Sequence, residues 1–190
     1  SNTSWNHTSA GGTGTTVVVL VGWFCDAAGA VAAATRTVTY GGAAMTSLGL
    51  QTCGDTRLGY EAFYLQTPDA GTKTVTATIT AGASCGLRIV GNSLSFNGTT
   101  VTPTKASASV NSSAPSVSVT SSANSAVACG FGCWGSTTYA TVPTTQVGTE
   151  IYNTLLCRWF YKLGVSPTTT FSGTMNASVY WLAYAVLLEP

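Results

Sequence analysis

The chain has 190 residues, 45% of them hydrophobic, with a net charge of +1. That supplies one domain with a real core, or two small ones, and argues against intrinsic disorder. Only 7% of residues are charged, against about 25% in an ordinary soluble domain, and the seven basic residues are scattered singly, which excludes a nucleic-acid backbone or an anionic membrane surface as partner. Solubility rests instead on 33 Thr and 20 Ser. The N-terminus lacks the basic region and apolar core of a signal peptide, so the chain either has lost one or was never exported. The six cysteines permit three disulfides in fifteen connectivities, or buried thiols acting as small hydrophobes. Five N-x-[ST] sequons, at Asn2, Asn6, Asn97, Asn111 and Asn176, are what so much Ser and Thr supplies by chance.

In chain order, residues 1–16 form a polar arm around Trp5. It is expected either to dock Trp5 as an edge strand or to reach a neighbouring subunit through Trp5, Asn6 and His7. Val17–Cys25 is continuously apolar and reads as a strand buried on both faces. Asp26–Thr35, Ala- and Gly-rich, is expected as a loop in preference to a short helical turn, and Arg36–Tyr40 is a strand turned back at Gly41-Gly42 onto Ala43–Leu48. Tyr60–Gln66 and Gly71–Thr80 read as two strands of a hairpin, joined by the Pro68-Asp69-Ala70-Gly71 turn. In the second of them Val75, Ala77 and Ile79 alternate with threonines at the period of two that only an extended chain satisfies. Leu87–Phe96 is a strand ending in the hairpin dipeptide Asn97-Gly98. Thr99–Ser113 is a surface loop or weak edge strand, Pro115–Thr120 alternates again, and Ala126–Cys129 leads into the Gly-rich Gly130–Gly135. Ser136–Thr149 is a Thr-rich loop. Glu150–Leu163 has apolar residues at helical spacing, but its aromatics favour two strands bent near Asn153. Thr168–Met175 and Ser178–Leu188 are strands. Eleven or twelve short strands at this spacing predict an all-β antiparallel sandwich, jelly-roll-like, with residues 17–190 as one domain behind the 1–16 arm.

The order of motifs is similar to that of a known module. Trp5-x-His7-Thr8 precedes the apolar strand, followed by Val38-Thr39-Tyr40-Gly41-Gly42 with Met45-Thr46. Then come Tyr64-Leu65 with Pro68, Gly71 and Thr74-Val75-Thr76, and after them Phe96-Asn97-Gly98, Thr102-Pro103 and Ser116–Thr120. In this order, over nearly the whole chain, they resemble the Thr/Gly-rich β-sandwich module of actinobacteriophage virion proteins, found in head-decoration and minor tail proteins. The six cysteines and the Cys129–Cys133 segment depart from that pattern. The resemblance implies a structural or adhesive role on a virion, and it carries over no catalytic residue.

Several patterns imitate reactive sites. Gly82-Ala83-Ser84-Cys85-Gly86 fits G-x-S-x-G, but a nucleophile elbow needs a helix after the Ser and a later His, and His7 lies upstream. Gly130-Phe131-Gly132-Cys133-Trp134-Gly135 fits G-x-G-x-x-G, yet the residues after it make a poor helix for a pyrophosphate. Cys129-x3-Cys133 has no second pair of ligands near it, and the six carboxylates show no telling spacing. No cofactor, metal or catalytic residue is therefore expected. Trp134 and Tyr139, in a Gly/Thr-rich stretch, are candidate contacts for a host cell-surface glycan; otherwise Trp134 plugs one end of the sandwich. Thr74-x-Thr76-x-Thr78-x-Thr80 is one row of the several that an ice-binding face would need. The expectation is a non-enzymatic capsid decoration protein on the outer surface of a phage head. Its partners would be the major capsid protein and copies of itself, as a trimer or another homo-oligomer, with Ser1–Thr16 ordered against a neighbour. The alternative is a minor tail or secreted carbohydrate-binding module.

Overall fold

The computed structural model describes residues 1–82, 85–135, 138–143, 146–152 and 155–190, with the backbone alone for residues 150–152. The chain is an all-β antiparallel sandwich. Its first half forms β1 (Asn2–Ser9), β2 (Thr15–Phe24), a single helical turn α1 (Ala30–Ala33), β3 (Thr35–Tyr40) and the short β4 (Ala43–Ala44), β5 (Thr46–Ser47) and β6 (Gln51–Thr52). β7 (Leu58–Gln66), β8 (Gly71–Thr80) and β9 (Arg88–Asn97) complete it. The second half holds β10 (Thr104–Ser112), β11 (Ser116–Thr120), β12 (Ala126–Trp134), β13 (Tyr139–Thr141) and β14 (Gln146–Tyr152). It ends with β15 (Leu155–Leu163), β16 (Thr168–Ser172), β17 (Thr174–Met175) and β18 (Val179–Leu188).

These strands stack in four layers. Sheet 1 runs β1-β8-β3-β4, sheet 2 runs β5-β7-β2-β9 with β6 also on β7, and sheet 3 runs β10-β18-β12-β15-β14. Two ribbons, β11-β16 and β13-β17, form the fourth layer. Three apolar layers lie between them. Val17, Val19, Val21 and Trp23 of β2 meet Val75, Ala77 and Ile79 of β8 between sheets 1 and 2. Val18, Leu20 and Phe24, from the other face of β2, meet Leu182, Tyr184 and Val186 of β18. Cys129, Phe131 and Phe160 of sheet 3 meet Val117 and Phe171 of the ribbons. A strand covered on both faces must be apolar throughout, which is why β2 is buried along its whole length.

Both halves wrap in the same way. β1 pairs with β8 while β2, next after β1, pairs with β7, just before β8. Likewise β11 and β12 pair with β16 and β15. In each pair the two consecutive strands lie in opposite layers and fold back on a later pair in nested order, the jelly-roll habit.

This corrects three sequence expectations. β7 and β8 are not a hairpin: the Pro68-Asp69-Ala70 turn carries the chain from sheet 2 to sheet 1. Asn97-Gly98 likewise leads from sheet 2 to sheet 3. Of Ala43–Leu48 only Ala43-Ala44 returns along β3, before β5 crosses to sheet 2. The described parts of Glu150–Leu163 are extended, β14 and β15 pairing antiparallel, while the bend expected at Asn153 lies outside the described residues. Thr99–Ser113 supplies β10, an edge strand of sheet 3. The arm is also a strand, with Asn2–Ser9 pairing residue by residue along β8.

Cys25 and Cys85 form a disulfide that ties the end of β2 to the segment entering β9. The other four cysteines are buried thiols.

Candidate functional site on the neutral outer faces

The alternation in β8 that puts Val75, Ala77 and Ile79 inside puts Thr72, Thr74, Thr76, Thr78 and Thr80 outside. The register extends that row across the sheet. Thr78 faces Asn2 of β1 and Thr37 of β3, Thr76 faces Ser4 and Thr39, and Thr74 faces Asn6. Thr8 bonds Thr72 hydroxyl to hydroxyl at 2.7 Å, and Thr74 donates to Asn6 Oδ1 at 3.2 Å. The result is a grid of neutral groups with steps of about 6.8 Å along strands and about 4.8 Å across them.

The opposite end of the stack repeats it. Ser116, Ser118 and Thr120 of β11 face Ser172, Thr170 and Thr168 of β16. Ser118 and Thr170 are bonded at 2.7 Å, and Thr141 and Thr174 at 2.8 Å. Both broad faces are thus hydroxyl ladders, their side chains partly saturated by each other. Three rows now stand where the sequence displayed one. Adjacent strands rotate by roughly 20–25°, however, so those rows do not form the plane that an ice lattice requires.

The candidate intersubunit residues divide by parity. Trp5 and His7 point inward at the seam between β1 and β9, where Trp5 Nε1 donates to Ser93 Oγ at 2.9 Å and His7 Nε2 lies 2.5 Å from Ser95 Oγ. Trp5 also rests on Gly91, where a Cβ would come within 2.5 Å of the indole. Burial holds the His7 pKa below its ordinary value. This pair resembles two-thirds of a hydrolytic triad, but no carboxylate among the described residues orients the ring, and the spacing of residues 5 and 7 against 93 and 95 is that of a seam. Only Asn6 is exposed on the outer face.

Trp134 and Tyr139 are not brought together. Trp134 stacks on Phe24 at 4.9 Å between sheets 2 and 3. Tyr139 is buried on the far side of sheet 3 beside Phe131. Neither ring is a free platform for a sugar.

The reactive-looking motifs dissolve into packing. Gly130 and Gly132 lie inside β12, where Tyr60 crosses the strand; a Cβ on Gly130 would stand 2.0 Å from the Tyr60 hydroxyl. Cys129 and Cys133 share one face of that strand, about 13 Å apart at about 3.3 Å per residue, too far to grip one ion. Burial pushes the Cys133 thiol up to about 11, and burial with the nearby Asp55 carboxylate does the same for Cys53. Ala83 and Ser84 of the G-x-S-x-G match lie outside the described residues. Glu61 is 2% exposed, paired to Arg36 Nε at 2.6 Å and bonded by the Ser47 hydroxyl. That occupies a carboxylate that catalysis would need free.

The unpaired surfaces complete the inventory. β1 ends sheet 1 with one backbone edge open, and β10 does so for sheet 3. Leu163, Val165 and Tyr161, at the end of β15 and just beyond it, are 75%, 60% and 38% exposed. Compared with known protein families, characterised proteins and solved structures, the chain matches none.

Proposed function

We propose that this chain is a non-enzymatic structural protein of a bacteriophage particle, a decoration protein that binds the outside of the capsid as a homo-oligomer. The observation that carries the reading is the charge-free hydroxyl ladder on both outer faces. Burying an ionised side chain against a neighbour is costly unless it is paired, whereas a hydroxyl needs only one hydrogen bond. A molecule whose two broad sides are neutral can therefore lie against other proteins on either side with little desolvation penalty. The open edge of β1 offers backbone pairing to a neighbour, and Leu163 and Val165 offer an apolar rim contact. Many weak contacts of this kind, repeated over a lattice, add avidity. The resemblance in motif order supplies the setting, and the scattered or already paired carboxylates argue against turnover.

The test is the copy number of this chain in purified particles, by quantitative mass spectrometry. One chain per major capsid subunit, or one trimer per lattice three-fold, is the expected result. A handful of copies per particle would indicate the tail instead, and its absence from particles would overturn the reading. Contacts built from neutral groups are weakly screened, so the protein is also expected to stay on particles through a high-salt wash.

A further inference from the structure

The geometry points to a binding site for a neutral glycan at one pole of the sheet 1–sheet 2 sandwich, on both sides of Gln66 and Thr67. This stands whether or not the chain is carried on a virion. Two clefts open there, of about 260 Å³ and 340 Å³, and Gln66-Thr67 is the wall between them. Each is near the lower end of the range for small-molecule sites, and the pair would hold neighbouring sugar units of one chain.

The lining selects the ligand. The larger cleft is walled by Thr13, Thr99 and Thr100 with backbone and no ionisable group. The smaller has Leu65 and Pro68 as apolar floor and one acid and one base, Asp69 and Lys73, 3.9 Å apart. The two charges cancel, so the pole has no net attraction for phosphate, sulfate or a cationic ligand. Hydroxyls, a primary amide and a carboxylate suit vicinal diols, which both donate and accept.

The pole is also braced by hydrogen bonds. Thr67 is a β-branched residue at φ 51°, in the left-handed region that such residues avoid. It is held there by its N–H bonding the Thr15 carbonyl at 2.9 Å, while the Gly12 N–H bonds the Pro68 carbonyl at 2.9 Å. Thr99 fixes the far wall through Thr16 Oγ1 at 2.7 Å. Strain held by surrounding bonds is found where a site is preorganised. Among the described residues the Gln66 amide, by contrast, makes only an exposed 3.3 Å bond to the Val101 carbonyl, which a sugar hydroxyl would readily replace.

The experiment is a titration of the ¹⁵N-labelled protein with maltohexaose, cellohexaose, mannohexaose and chitohexaose, read by amide chemical shifts. At least one is expected to give saturable shifts confined to residues 12–15, 40–43, 65–73 and 99–100. Gln66→Ala and Asp69→Ala, both at surface positions, should each weaken that affinity about ten-fold with the fold intact by circular dichroism. Thr78→Ala on the outer face of sheet 1 should leave it unchanged. No saturable shift with any of the four sugars, shifts mapping to another surface, or full affinity in both cleft variants would overturn the proposal.

Discussion

Replacing Gly130 by Ala isolates the contact that locks the two halves together. The added Cβ would lie 2.0 Å from Tyr60 Oη, 2.4 Å from Cζ and 2.7 Å from Cε1. Ordinary contacts at such atoms begin more than an ångström further out. Tyr60 is fully buried and cannot swing aside: its ring already lies 3.2 Å from where a Cβ on Gly132 would stand and 3.1 Å from one on Gly22. Overpacking by a methyl in a yielding core costs about 1–3 kcal/mol; with no give on either side, about 3 kcal/mol is expected here. Tyr60→Leu removes the ring atoms that clash and leaves a cavity costing about 2–4 kcal/mol by itself. The double variant should therefore be more stable than the sum of the two, with a coupling of about 1–3 kcal/mol. Urea denaturation followed by tryptophan fluorescence measures all four species, with an unchanged m-value as the check that the reference states are alike. A Gly130→Ala protein within about 0.5 kcal/mol of the parent, or a strictly additive cycle, would refute the reasoning that this glycine serves packing.

Four other outcomes follow from the same structure. Arg36→Ala strips the partner from the buried Glu61 carboxylate and should cost about 3–5 kcal/mol in denaturant unfolding; a loss below about 1 kcal/mol would show the pair to be dispensable. Cys25→Ser with Cys85→Ser opens a closure of 60 residues and should cost about 4 kcal/mol on the chain-entropy estimate. Thiol titration with Ellman's reagent at neutral pH should find no fast thiol in the folded protein, four on unfolding without reductant, and six after reduction, since burial holds Cys53 and Cys133 protonated up to about 11. His7, whose pKa is lowered by burial from its ordinary value of about 6.5, stays neutral in the fold while the unfolded chain takes up a proton. Stability is thus expected to be undiminished above about pH 6.5 and to fall as the pH drops through the lower folded value; His7→Asn should abolish that acid-side loss, as measured by denaturation on both sides of the window.

The sequence by itself determined which residues are extended and which face each presents. A period of two marks a strand wherever it occurs, so Thr74–Ile79 and Ser116–Thr120 were legible, and an unbroken apolar run identified β2 as covered on both sides. The neutrality of the surface was equally plain from composition. Tertiary structure alone decided which strand lies beside which. β8 is followed in register by β1 and β3 instead of the β7 that precedes it, because alternation reports a strand's two faces but nothing about its two edges. For the same reason one visible threonine row became a grid only once β1 and β3 flanked it. Trp134 and Tyr139, five residues apart in the chain, ended on opposite sides of sheet 3. The glycines of β12 acquired their meaning only when Tyr60, seventy residues away, was laid across them, and the clefts at Gln66 exist only because loops distant in the chain meet at one pole.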